Sequence, residues 1–212
     1  MMNRLSTRIA LTAMMLFLGL AAGESRAAII FSDDFDQEST GLNYNSFANW
    51  SISAGTVDTV GNGFFDFLPG NGVYVDLDGS TFNAGVMSSN GQSLAAGSYT
   101  LSFDLAGSQR GDTNVVTVSL GTSNNASLFG STILTRDSAD PFTTETINFV
   151  IGSPTSDFHI SFSNAGGDNI GALLDRVVLQ SNAVPEPASI VMMGLGSLGM
   201  IGYGWRRRKL AR

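Results

Sequence analysis

Tyr99-Thr100-Leu101-Ser102-Phe103-Asp104-Leu105 carries an apolar side chain at every second position and a polar one between. Side chains of a strand alternate between its faces. This segment therefore buries Tyr99, Leu101, Phe103 and Leu105 and turns Thr100, Ser102 and Asp104 the other way. Ala96-Gly97-Ser98, just before it, reads as a turn. The same period recurs outward in both directions. Downstream it gives Val116, Val118 and Leu120, then Ile147 and Phe149, then Phe158, Ile160 and Phe162, and last Leu173, Leu174, Val177 and Leu179. Upstream it gives Val73, Val75 and Leu77 after the Pro69-Gly70-Asn71-Gly72 turn, and Trp50 with Ile52. Weaker pieces lie at 28–31, around Val57 and Val60, and at 128–134. No stretch of 28–184 shows a helical period, and no repeat of fixed length is present. About ten or eleven short strands joined by Gly/Asn/Asp turns predict an all-β fold, a β-sandwich of the jelly-roll kind.

Charge is unevenly spread. Of 11 basic residues, only Arg110, Arg136 and Arg176 fall within 28–182, against 16 acidic ones, a net charge of −13 for that segment. Such a surface repels phosphate, which excludes a nucleic-acid partner, and it suits divalent cations. Cysteine is absent, so disulfides, thiolate metal sites and cysteine nucleophiles are excluded.

Both ends carry export features. Arg4 and Arg8 precede an uncharged apolar run at 9–22, and Ser25-Arg26-Ala27 places small residues where signal peptidase reads, so residues 1–27 are expected to be a signal peptide cleaved before Ala28. At the other end Pro185-Glu186-Pro187 is followed by an uncharged stretch, 188–205, and then by Arg206-Arg207-Arg208-Lys209. The stretch is long enough to span a bilayer as a helix, Tyr203 and Trp205 suit its interfacial end, and the cations behind it hold that end in the cytoplasm. Expected boundaries are thus 1–27 signal peptide, 28–182 β-sandwich, and 183–212 sorting segment with a membrane helix at 188–205 and a basic tail at 206–212.

The Pro-Glu-Pro element, apolar span and basic tail together resemble the PEP-CTERM sorting signal of exopolysaccharide-producing bacteria. The resemblance implies an inner-membrane-anchored precursor in a Gram-negative-type cell. An exosortase-type enzyme would act at Pro185, Glu186 and Pro187 and send the domain to the cell surface or the polysaccharide matrix. The middle segment resembles exported domains with a galactose-binding-like jelly roll. That likeness rests on the Asp33-Asp34-Phe35 opening, Asn49-Trp50, the Gly72–Ser80 stretch, Ala96–Phe103 and the Asn169–Val178 close. Members of that group often bind carbohydrate, which makes exopolysaccharide the expected partner and the protein a non-enzyme. In such modules a structural ion often joins the first strand to the last. This implies Ca²⁺ at Asp33, Asp34 and Asp36 with Asp175.

Other residues have simpler roles to set beside a functional one. Tyr74 alternates against Val73 and Val75, so with Tyr44 it is a candidate for stacking on a sugar. Trp50 shares the phase of Ile52 and reads as core. Asp76-Leu77-Asp78-Gly79 lacks the ligand spacing of a calcium loop and reads as a strand entering a turn. His159 is the only histidine, and without a Gly-x-Ser-x-Gly elbow it is expected on a strand surface rather than in a triad. Gly194-Leu-Gly-Ser-Leu-Gly199 matches G-x-G-x-x-G but lies inside the apolar span, where small residues permit close helix contact. Two rivals to a carbohydrate-associated protein remain open: a secreted glycan-active enzyme, and a structural or adhesive protein without a small ligand.

Overall fold

Each strong two-residue alternation is a strand in the structure, a computed structural model that describes residues 27–182. The twelve strands are β1 Ala28–Asp33, β2 Trp50–Ser53, β3 Asp58–Gly61, β4 Val73–Asp76, β5 Val86–Ser89, β6 Gln92–Leu94, β7 Gly97–Ala106, β8 Thr113–Thr122, β9 Asn125–Asp137, β10 Thr143–Ile151, β11 Thr155–Asn164 and β12 Leu173–Ser181. No helix occurs among the described residues, and none there is long and apolar enough to cross a membrane. The expected signal peptide, the Pro185–Pro187 motif, the 188–205 span and the Arg206–Lys209 cluster lie outside the described residues.

The strands form two six-stranded sheets in which every recorded pairing between strands is antiparallel. One runs β10-β7-β12-β4-β3, with β1 on β12; the other runs β2-β5-β11-β8-β9, with β6 on β11. From β4 onward successive strands cross between the sheets at β4–β5, β6–β7, β7–β8, β9–β10, β10–β11 and β11–β12, as in a jelly roll, while β8 and β9 pair within one sheet. The inward faces meet in one core that includes Leu101, Phe103 and Leu105 of β7, Val116, Val118 and Leu120 of β8, and Phe158, Ile160 and Phe162 of β11. Phe103 meets Phe162 edge-on at 5.1 Å and Phe149 stacks on Phe158 at 5.3 Å, so aromatic contacts cross from sheet to sheet.

Strands β5 and β6 do not stand out in the sequence, and two further features differ from its expectation. Strand β9 is the longest, although 128–134 read weakly. It is an edge strand with most of its side chains exposed, so neither face imposes a strict alternation. The outer face of β3 and β4 is not solvated. Val60, Tyr74, Ala106 and Leu173 form a second small core there, covered by Phe67, Leu68 and Phe142.

The first and last strands are neighbours, with Ala28 opposite Ser181 and Asp33 opposite Val177. Beside this pair β12 carries a bulge between Asp175 and Val178, with Arg176 in the left-handed region at φ 46°. The bulge turns the Arg176 guanidinium onto the buried Asp104 carboxylate of β7.

Candidate functional site

The acidic residues expected at the β1–β12 junction each have a structural duty, and among the described residues no three acidic side chains stand together in a metal-holding group. Asp33 Oδ1 caps the Phe35 N–H at 2.9 Å, and its Oδ2 accepts Asn49 Nδ2 and Trp50 Nε1, both at 3.0 Å. Asp34 accepts the Asp36 N–H at 3.3 Å. Asp36 Oδ1 accepts the Val73 N–H at 2.8 Å. The carboxylate lies so close to Gly72, at φ 75°, that a Cβ there would overlap it, which is why a glycine closes this turn. Asp175 is buried, and its Oδ1 accepts the Arg176 N–H at 2.7 Å. Asp33, Asp34, Glu38, Asn49 and Arg176 line an open groove of about 380 Å³.

Burial pushes the Asp175 carboxyl up to about 7; the Arg176 N–H and guanidinium oppose this, and Asp104 and Asp36 add to it. An acid whose folded pKa lies above its unfolded value takes up a proton on folding. Its contribution to stability is greatest at low pH and is lost as pH rises through about 7. In a chelator, the urea midpoint is therefore expected to fall between about pH 5 and about pH 8. Asp175→Asn is expected to shrink that fall, and an unchanged slope in the variant would reject this account.

Tyr74 is a correction. It is fully buried, its ring meets Phe142 edge-on at 5.5 Å, and its hydroxyl donates to Asp66 Oδ1 at 3.0 Å and accepts the Leu68 N–H at 2.8 Å. It serves the second core and cannot stack on a ligand, because the face it points to is covered. Tyr44 is half-buried, packs edge-on against Phe47 at 4.8 Å and donates to Glu38 Oε2 at 2.9 Å. Trp50 is buried. His159 is held on the surface of β11, with Nδ1 2.6 Å from the Ser89 carbonyl and Nε2 2.8 Å from Asp157 Oδ1. The Ser123 hydroxyl, then His159, hold the half-buried Asp157 below the usual carboxylate range. The exposed aromatics are elsewhere: Phe82, in the loop between β4 and β5, is 81% exposed, and Phe65 is 55% exposed.

The outer face of the β2-β5-β11-β8-β9 sheet shows a pattern that the linear sequence conceals. Ser51 lies opposite Ser88, Ser88 opposite Ser161, Ser161 opposite Ser119, and Ser119 opposite Ser131. One serine from each of five strands thus forms a straight row across the sheet. Ser88 and Ser161 share a hydrogen bond at 2.8 Å, and Ser119 and Ser131 share one at 3.3 Å. Ser161, at the centre, is the most covered of the five, and Ser51 and Ser131 are exposed. The next row reads Ser53, Val86, Ser163, Thr117 and Ile133. Neither row holds a charged residue, although the segment as a whole carries −13.

The fold defines an all-β sandwich module, and this class recurs among solved structures. The adhesin domain K3 of Lys-gingipain from Porphyromonas gingivalis is similar over 74% of this chain and 100% of its own, at 18% identity and a TM-score of 0.52. TmCBM61, solved with β-1,4-galactotriose, matches over 64% of this chain and 90% of its own, at 16% identity and a TM-score of 0.48. The xylan-binding domain CBM22-2 of Paenibacillus barcinonensis Xyn10C matches over 72% and 99%, at 12% identity and a TM-score of 0.44. At these identities the likeness is one of fold. No curated protein matches the chain. Residues 183–209 match the PEP-CTERM protein-sorting motif, so the chain carries the signal of an exported protein processed by an exosortase.

Proposed function

We propose that this is a non-catalytic module of the cell surface or extracellular matrix, and that it associates with a neutral polysaccharide through the outer face of the β2-β5-β11-β8-β9 sheet. The observation that carries this reading is the five-serine row. Neighbouring strands lie about 4.8 Å apart, so hydroxyls recur along the row at a spacing close to the advance of one sugar in an extended glycan. Hydroxyls give and accept hydrogen bonds, as sugar hydroxyls do, and Val86 and Ile133 in the next row offer apolar contact. The absence of charge on these rows favours a neutral polymer, since an acidic one would be repelled by the rest of the domain. The sandwich fold shared with an adhesin domain and the sorting signal at 183–209 support a role outside the cell.

The test is retention of residues 28–182 on the exopolysaccharide of the producing cell and on a neutral glucan. Wild type is expected to be retained. Thr117→Asp and Ser88→Asp, which place a carboxylate on the face, are expected to weaken retention about tenfold or more. Asp34→Asn, in the groove, is expected to leave it unchanged. No retention of wild type would reject the carbohydrate reading and favour a structural or adhesive protein. Full retention by Thr117→Asp would move the contact to another surface. Repeating the assay in calcium and in a chelator tests the ion expected at Asp33, Asp34, Asp36 and Asp175.

A further inference from the structure

Strand β4 ends at Asp76, and the chain continues through Leu77-Asp78-Gly79 into the loop before β5. The backbone is the strand-into-turn that the sequence suggests, but the two aspartates differ sharply. Asp76 is fully employed. Its Oδ1 accepts the Asp78 N–H at 3.1 Å and the Gly171 N–H at 2.9 Å, and its Oδ2 takes the Arg110 guanidinium. Gly171 is pressed so closely against this turn that a Cβ would overlap both Asp76 Oδ1 and the Asp78 nitrogen. Asp78 has 0% exposure, yet neither of its carboxylate oxygens meets a hydrogen-bond donor. A buried carboxylate without partners is among the costliest features a fold can hold.

The surroundings intensify the cost. Besides burial itself, Asp168, Asp58 and Asp112 repel the Asp78 charge, and Arg110 alone opposes them, leaving the carboxyl raised to about 6. The Arg110 fork is already committed to Asp76 and, at 2.8 Å, to the Asn169 carbonyl, and its buried Nε has no acceptor. Asp58 is held by the Asn43 and Ser80 N–H groups and the Ser80 hydroxyl, and Asp112 by Ser108 and Asn114. Asp168, exposed on the loop before β12, accepts only the Ile170 N–H, at 2.9 Å.

We propose that this cluster binds a hard divalent cation of the calcium class, anchored by the two free oxygens of Asp78 with Asp168 as the second acid. A proton would cancel one charge but would still leave Asp78 short of hydrogen-bond partners, whereas a cation engages both oxygens and offsets the neighbouring carboxylates. Among the described residues no three acidic, histidine or cysteine side chains stand together in a metal-holding group. The rest of the shell would have to be main-chain carbonyls and water, a set that calcium accepts and zinc does not. So small a carboxylate set belongs to the weak class of extracellular calcium modules, with Kd on the order of 10⁻⁴–10⁻³ M. The ion would fasten the loop that carries Phe82 to the loop that leads into β12.

Calorimetric titration of residues 28–182 with calcium chloride, together with thermal melts in calcium and in a chelator, tests this. Wild type is expected to bind an ion in that affinity range and to melt about 3–6 °C higher at tenfold excess over Kd. Asp78→Asn is expected to lose that binding event and the shift. In chelator it is expected to melt at or above wild type, because it removes a buried unpaired charge. Asp168→Asn, a surface change that does not threaten folding, is expected to weaken the same event about tenfold. Asp175→Asn, at the β1–β12 junction, is expected to leave it intact. An isotherm that survives in Asp78→Asn, or a wild type that melts identically in calcium and chelator, would overturn the proposal.

Discussion

Arg110→Met is expected to destabilise the domain by about 3 kcal/mol, the low end for breaking a buried pair by removing one partner. Asp76 is almost wholly inaccessible, with its side chain 2% exposed, and Arg110 is the cation that reaches it. Burial, with a smaller push from Asp58, drives the Asp76 carboxyl upward, and Arg110 and the N–H groups of Asp78 and Gly171 pull back, for a result of about 8. Without Arg110 the carboxyl escapes part of the cost by taking up a proton, so the loss is expected to grow as pH is raised. Arg110 also lies over the Phe67 ring at 4.8 Å and donates to the Asn169 carbonyl, so it joins three loops at once. Chemical denaturation of wild type, Arg110→Met and the Arg110→Met/Asp76→Asn pair measures the effect. The double variant is expected to recover part of the loss, because it removes the stranded charge. Equal stability of wild type and Arg110→Met at about pH 8 would show that the pair contributes nothing net.

Trp50→Ala is expected to cost more, about 3–5 kcal/mol, the usual range for deleting a large buried aromatic. The indole is 4% exposed and meets Phe31 edge-on at 5.4 Å, with Phe35 and Phe162 both at 5.9 Å. Phe31 belongs to one sheet and Phe162 to the other, so one side chain closes this corner of the sandwich. Its Nε1 also donates to Asp33, which caps the turn holding Phe35 in a left-handed conformation at φ 56°. Removing the ring would therefore release β1 as well as open a cavity. Trp50→Phe keeps most of the packing and loses the hydrogen bond, so it is expected to cost about 1–2 kcal/mol. Thermal unfolding of the two variants separates these contributions; equal losses would mean that the hydrogen bond to Asp33, rather than packing, dominates.

How much of the molecule the sequence reveals follows from what each strand faces. Strands β7, β8 and β11 have one face in the core, so their alternation is clean and they read directly. Strand β9 has little core face and reads weakly, and β5 and β6 are too short to show a period. The buried place of Tyr74 is hidden from the sequence for a related reason. Alternation says which residues share a face, not whether that face is wet, and the cover over Tyr74 comes from Phe67, Leu68 and Phe142 in two separate loops. The junction of β1 with β12 was legible from the Asp33–Asp36 and Asp175 ends only through the fold it implied. The serine row was not legible at all, because it exists only once five strands are set in register. Asp78 resembled any strand-end aspartate, since its lack of partners depends on Arg110 being held by Asp76 and Asn169.

The pairing of the first strand with the last has a mechanical consequence. Strand β12 is the final element before the sorting segment, so tension applied along the chain from residue 183 would enter the domain there. β12 is not an edge: β7 lies along one side, and β4 followed by β1 lies along the other. The Asn182 N–H is also tied to the Ser98 carbonyl at 2.8 Å, close to the point where the load arrives. A pull along β12 meets hydrogen bonds on both flanks together, in shear, instead of peeling a border strand bond by bond. A domain tethered by that end to a surface and gripped by polymer on the opposite sheet would carry strain through a strand bonded on both flanks.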